Sequence, residues 1–424
     1  MSAADLPVSP FAFPAFRAFF VAKLGSTLAQ MLMVIVIGWQ VYDMARATMP
    51  MREAAFLLGL VGLAQFLPVF MLSLVVGVIA DRLDRRHIAR AAIALELLCA
   101  AALCWLAAAG STALGPLFAV AALLGVARAF AAPSLSALAP NLVPPAVLPA
   151  AIAWNSIGWQ TGAVLGPVMG GLLYDVSPPL PYGFAAGLFA AALVALSLIP
   201  KVALPPATGA SGVELVKQGL RYVRGNQIVL GAISLDMFAV ILGGATAMLP
   251  IYARDILMVG PQGLGLLRAA PAFGAAIVAL WFTQVPLGNR VGAKMFANVG
   301  LFAIATIVFG LSTVLWVSVS ALAVLGAADM VSVYVRSSLI QLHTPDAMRG
   351  RVSSVSMLFV SASNELGEFR AGTMAATVGA VEATVVGGVL ALGITVLWAR
   401  LFPELRNADR LEVPEMLQAR QGEN

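Results

Sequence analysis

The chain has 424 residues, of which 61% are hydrophobic and 11% charged, with a mean hydropathy of +0.94. A soluble domain carries roughly a quarter charged residues and under half apolar ones, so the composition excludes a water-soluble body and points to an all-α membrane protein. The net charge of +5 does not indicate a nucleic-acid partner, because the Lys and Arg residues fall in short breaks between apolar runs instead of forming a basic face.

A membrane-spanning helix needs about 20 apolar residues. Runs of that kind predict helices over 16–42, 53–79, 87–109, 114–138, 147–174 and 181–199, then over 227–253, 263–285, 291–313, 315–340, 351–377 and 380–402. The expected fold is therefore twelve transmembrane helices in two pseudo-symmetric six-helix bundles, 1–199 and 226–403. Between them, 200–225 reads as a cytoplasmic linker with a Pro/Gly/Ser stretch and a basic amphipathic segment, and 404–424 as a cytoplasmic tail. The first fifteen residues lack the basic region and cleavage site of a secretory signal, so the first run is expected to stay as a helix. Loops on the side of the N-terminus hold Arg17, Arg82, Arg85, Arg86, Arg90, Lys201, Lys217 and Arg221 among others, against Arg46, Arg52, Arg254 and Arg268 on the opposite side. This positive-inside bias predicts that both termini are cytoplasmic.

The motifs of common catalytic classes are missing. Cys99 and Cys104 share one apolar run and point in different directions on a helix, and His87 and His343 have no partner at metal-ligand spacing. No phosphate-binding loop, dinucleotide fingerprint or nucleophile elbow occurs. No enzyme activity, cofactor or metal is expected. A weak internal repeat supports two halves: an offset of 201 carries Arg128 onto Asp329 and Pro144 onto Pro345. Repeated halves are expected of a secondary transporter with its site near the bilayer midplane.

Between the second and third runs stands Gly77-Val-Ile-Ala-Asp81-Arg82-Leu-Asp84-Arg85-Arg86. It resembles the signature loop G-x-x-x-D-R-x-G-R-R/K of the major facilitator superfamily, with Asp84 where the superfamily usually has Gly. Gly77 allows close helix approach, Asp81 can accept bonds from a helix N-terminus, and Arg82, Arg85 and Arg86 can hold acidic or carbonyl partners, which makes the loop a candidate gate. In the fifth run, Gly158, Gly162, Gly166 and Gly170 recur every fourth residue and form a groove for another backbone, while Pro167 bends the helix. The stretch from Gly162 through Pro167 to Gly171 resembles an element that, within the superfamily, marks exporters exchanging a substrate for protons. Residues Pro133 to Asn155, Leu249 to Asp255 and Gln341 to Val352 resemble the branch that includes the enterobactin exporter and related bacterial efflux proteins.

An ionisable group in a membrane helix costs about 2.5–3.5 kcal/mol or more, so each one calls for a partner, water or a task. Those inside the predicted spans include Lys23, Glu96, Arg128, Asp236, Asp329, Arg336, Glu365, Glu368 and Arg370. The resemblance places the first, fourth, seventh and tenth helices around a central cavity, which makes Lys23 and Arg128 of one half candidate partners of Asp236 and Asp329 of the other. Protonation of either acid would break a pair. Glu365 and Glu368 share a helix face and can titrate together, or Arg370 can neutralise Glu368. Glu96 is expected to reach the signature-loop arginines. Gln30, Trp39, Gln40, Gln65, Asn155, Trp159 and Gln160 are candidate substrate-wall residues.

The sequence thus predicts a secondary transporter of a bacterial inner membrane, acting as a monomer and exporting a small amphipathic molecule such as a siderophore, drug or metabolite in exchange for protons. Its partners are that molecule, protons and the lipid bilayer, with no nucleic acid. An importer or lipid flippase of the same fold is the first alternative, and a membrane-embedded enzyme or receptor the second.

Overall fold

A computed structural model describes residues 9–82, 84–200, 212–285 and 287–409, with backbone alone at 73–82, 137, 140, 212, 213, 215, 346 and 347. Among these residues the regular structure is helical throughout. In chain order it comprises α1 (Pro14–Arg46), α2 (Met51–Arg82), α3 (Arg85–Ala108), α4 (Leu114–Leu138), α5 (Leu148–Val176), α6 (Leu180–Ser197), α7 (Gly212–Gly225), α8 (Gln227–Gly243), α9 (Gly260–Gln284), α10 (Val291–Leu311), α11 (Leu315–Leu342), α12 (Asp346–Val378) and α13 (Ala380–Leu401). Ten helices among the described residues are long and apolar enough to cross a membrane. The two other long ones, α5 and α12, are diluted by polar residues: Asn155, Gln160 and Asp175 in α5, and Arg351, Glu365, Glu368 and Arg370 in α12. The run predicted as one helix over 227–253 breaks after Gly243, where Gly244 leaves helical geometry and the chain continues through a tight turn at Thr246–Met248 and a π-turn at Tyr252–Ile256. Two successive glycines supply little helix propensity there.

The described residues divide into two compact units. The first is built from 9–50, 60–200 and 253–269, and the second from 51–59, 212–252 and 270–409. Two helices therefore contribute to both: α2 gives its first residues to the second unit, and α9 gives its first residues to the first.

Small residues set the helix spacing. The α5 glycines face α1: a Cβ at Gly162 would lie 2.7 Å from the Thr27 side chain, one at Gly166 2.9 Å from the Leu28 carbonyl, and one at Gly170 2.9 Å from Ile35. The stripe predicted as a groove is occupied by α1 of the same unit. The next glycine, Gly171, lies against the backbone of Pro261. In α4, Gly125 presses on the Gln65 backbone of α2, and in α11, Gly326 presses on the Pro271 backbone of α9. Gly125 and Gly326 are related by the same offset of 201 that relates Arg128 to Asp329.

Cations fasten the start of α3 to the end of α6. Arg86 donates to the Ile199 carbonyl at 3.1 Å, and Arg90 donates to the Leu196 carbonyl at 2.8 Å through Nη2 and 3.2 Å through Nε. Cationic side chains favour carbonyls at a helix C-terminus. Asp84, which stands where the superfamily has Gly, is the N-cap of α3. Its backbone (φ −62, ψ 116) needs no glycine, and its carboxylate accepts the Arg86 amide at 3.0 Å and the Arg86 guanidinium. The amphipathic segment is α7, whose Val216, Leu220 and Val223 pack with Ile233, Ile340, Val352 and Val355 in the second unit.

Two stability measurements follow. Gly166→Ala overpacks the α1–α5 contact and should lower stability by about 1–3 kcal/mol in thermal unfolding of the detergent-purified protein, whereas Gly115→Ala, which meets open space, should not. Asp84→Ala removes a cap worth about 1 kcal/mol. The hydrogen-bonded Arg86 guanidinium holds the Asp84 carboxyl below its ordinary 3.8, at about 2. Because the folded value lies below the unfolded one, the contribution is present above about pH 4 and fades as pH falls toward 2. The difference in melting temperature between wild type and Asp84→Ala should close over that range.

Candidate functional site

In the first unit a buried polar cluster lies between α1, α2, α3 and α4. Glu96, fully buried on α3, accepts a hydrogen bond from Gln30 Nε2 at 2.7 Å on one oxygen, while its other oxygen, Oε2, has no hydrogen-bond partner. Arg128 of α4 donates to Gln65 Oε1 at 2.9 Å. Gln30, Gln65, Glu96 and Arg128 line one small cavity with Met33 and Phe189, and Lys23 lies within electrostatic reach of Glu96. Glu96 therefore does not reach the signature-loop arginines as expected: α3 carries it in a different direction, toward α1 and α4, and Arg86 and Arg90 are committed to α6.

In the second unit, Asp236 of α8 forms an ion pair with Arg336 of α11, both nearly inaccessible. Asp236, Asp329 and Ser332 line a small cavity closed by Val240, Val299 and Phe302. The anticipated partners of Asp236 were Lys23 and Arg128, but Arg336, two helical turns beyond Asp329 on α11, is the cation that this unit supplies. On α12, Arg370 donates to Met374 Sδ at 3.4 Å and lies over Gly387. Among the described residues Arg370 forms no ion pair with Glu368, so the neutralisation weighed for Glu368 is not made. Glu365 and Glu368 stand one helical turn apart.

A third set of charges closes the end of α1. Arg46 grips Asp255 in a two-pronged arrangement, Nε to Oδ2 and Nη2 to Oδ1, each 3.1 Å, and the Tyr42 hydroxyl donates to the same carboxylate. Arg254 reciprocates with Asp43 at 3.2 Å and donates to the Asp43 carbonyl at 3.0 Å. The π-turn at Tyr252–Ile256 aims Arg254 and Asp255 at α1, and both belong to the same compact unit as α1. Sequence reasoning counted Arg46 and Arg254 only as loop charge. The signal that could have found them is the Arg-Asp dipeptide at 254–255 beside an Asp-x-x-Arg at 43–46.

Of the expected wall residues, Gln40 is buried and accepts the Tyr182 hydroxyl at 2.5 Å, Gln30 and Gln65 serve the Glu96 cluster, and Trp39 is buried. The three amides therefore bond within the first unit. On α5, Asn155 and Gln160 are partly buried and Trp159 is 50% exposed. Of the expected gate, Arg86 is the α6 anchor, Arg85 is partly buried, and the side chains of Gly77, Asp81 and Arg82 lie outside the described residues.

Residues 6–419 match the family described as transmembrane secretion effector, a branch of the major facilitator superfamily. The chain is 28% identical over 399 residues to the enterobactin exporter of Citrobacter koseri, covering 93% of each protein, and 28% identical over 400 residues to that of Escherichia coli K12, again covering 93% of each. Among solved structures, the peptide transporter PepTSo superposes with a TM-score of 0.73 at 12% identity, covering 92% of this chain and 98% of that one. A D-xylose–proton symporter superposes with a TM-score of 0.71 at 14% identity, with the same coverage. At these identities the structural likeness speaks for the fold alone. With the family match spanning nearly the whole chain, this protein belongs to the transmembrane secretion effector family of major facilitator superfamily membrane transporters.

Proposed function

We propose that the chain is a monomeric secondary active transporter of a bacterial inner membrane, exporting a small amphipathic molecule of the siderophore, drug or metabolite kind in exchange for protons by alternating access. The reading takes α5 and α12 as membrane crossings alongside the ten apolar helices, which makes twelve. It places the termini in the cytoplasm and takes 1–199 and 226–403 as pseudo-symmetric halves joined by a linker over 200–225. The shared offset of the Gly125 and Gly326 contacts supports that symmetry, and the likeness to the enterobactin exporters supports the direction and the substrate class.

The observation that carries proton coupling is that Asp236, ion-paired with Arg336, lines one small cavity together with a second carboxylate, Asp329. Breaking a buried pair by removing one charge costs about 3–5 kcal/mol, so such a pair changes state only when the change is compensated. A proton on Asp236 releases Arg336, and Asp329, across the same cavity from Asp236, is the second carboxylate available to the proton. Loading and unloading the proton then moves α8 against α11, and helices that move are what alternating access needs. In the proposed orientation the crossed pairs Arg46–Asp255 and Asp43–Arg254 lie at the outer end of α1. They form a lock that holds residues 253–269 on the first unit, and opening outward releases it. Glu365, Glu368 and Arg370 supply further polar surface on α12, with Lys23 and Arg128 doing so in the first half. Asn155, Trp159 and Gln160 remain the wall candidates on α5.

With enterobactin as the probe, inverted membrane vesicles containing the wild-type protein should accumulate it when the interior is acidified. Asp236→Asn and Asp329→Asn should each reduce that gradient-driven accumulation at least about ten-fold, the equivalent of 1.4 kcal/mol. Full accumulation by both variants would refute the coupling role, and gradient-driven loss of enterobactin from preloaded inverted vesicles would reverse the direction.

A further inference from the structure

The first unit holds a carboxyl group that the coupling mechanism above leaves unused. Glu96 is fully buried, and one of its oxygens receives a donor while the other receives none. Among the described residues Glu96 takes part in no ion pair. A buried carboxylate without a cation has to be neutralised another way.

Two cations nevertheless stand close by. Arg128 of α4 lines the same small cavity as Glu96, and Lys23 of α1 lies within electrostatic range of it. Arg128 is held off by Gln65, whose amide oxygen takes its guanidinium at 2.9 Å. On its own helix Glu96 faces Cys99 one turn on. From α6, Tyr182 is the one titratable side chain, and its hydroxyl is given to Gln40. From α2 comes only neutral Gln65. Gln30, Gln65, Glu96 and Arg128 line the same small cavity, so a shift of Arg128 from Gln65 to Glu96 begins and ends at that one cavity.

We propose that Glu96 is a proton-binding site: it carries a proton while Arg128 rests on Gln65, and it gives the proton up when Arg128 moves across to pair with the carboxylate. One proton leaves Glu96 Oε2 for the aqueous phase, one carboxylate forms, and the guanidinium charge already in the cavity balances it. Gln30 holds the carboxyl group in place in both states. This role rests on the proton-coupled reading and adds a site in the first unit to the Asp236–Asp329 pocket of the second. It also gives Arg128 a partner within its own unit.

Infrared difference spectroscopy of the full-length protein reconstituted in lipid and titrated with acid tests this without any transport step, so a failure of the export reading would leave the result intact. A protonated carboxyl group gives its own C=O stretching band. The wild-type protein should show a C=O component growing on acidification that is absent from Glu96→Gln and present in Asp329→Asn, the bands of the other carboxyl groups being common to all three. Gln30→Leu removes the donor to the carboxyl oxygen and should shift the same band to higher wavenumber, which provides a second readout should Glu96→Gln fail to fold. That component persisting in Glu96→Gln, or neither moving nor weakening in Gln30→Leu, would overturn the assignment.

Discussion

A charge in hydrocarbon has nowhere to go. Water solvates an ion in a soluble protein even when its partner moves away, but a membrane helix offers only other side chains, backbone carbonyls or a proton. Each unit meets this demand with its own residues, and in different ways. The second unit pairs Asp236 with Arg336 outright. The first keeps Arg128 on a neutral amide and leaves Glu96 with a single donor. The crossed pairs at the end of α1 show a third solution, in which Asp255 collects a guanidinium and a phenol together. Any motion that separates one of these groups from its partner must supply a replacement at once, and a mobile proton is the cheapest replacement.

Close packing makes these partnerships possible. Gly162, Gly166 and Gly170 bring α5 against α1, while Gly125 brings α4 against α2. Gln65, whose backbone touches Gly125, is the residue whose side chain holds Arg128, so helix contact and charge placement coincide at one position. At the start of α3, Arg86 and Arg90 bond carbonyls at the end of α6 and just beyond it, so the loop that looks like a gate also acts as a structural tie. With no hydrophobic drive between helices in lipid, small residues and polar contacts of this kind carry the association.

The helices were legible in the sequence because hydropathy over about 20 residues reports a physical requirement of the bilayer. The break after Gly243 was not, since apolar residues continue on both sides of it and only the glycine pair marks it. The glycine stripe predicted close packing correctly but could not name its partner, because a bare face fits any helix of suitable shape. Side-chain pairing was least legible. Arg336 was visible as a buried charge, yet its pairing with Asp236 depends on helix rotation, which a string of letters does not encode. Gln30, Gln40 and Gln65 were legible as candidate wall residues, but their hydrogen-bond partners Glu96, Tyr182 and Arg128 lie on other helices and were not. Asp84 departs from the superfamily pattern in sequence, but a capping carboxylate at that point serves the turn through bonding where glycine serves it through freedom.

The central claim is that substrate and protons exchange through these rearranging charges. It is tested most directly in sealed vesicles carrying the protein, with a pH-sensitive dye inside and equal pH on both sides, when enterobactin is added outside alone. Exchange requires protons to leave as enterobactin enters, so the lumen should turn alkaline in step with uptake. Enterobactin entering while the lumen pH stays flat would contradict it.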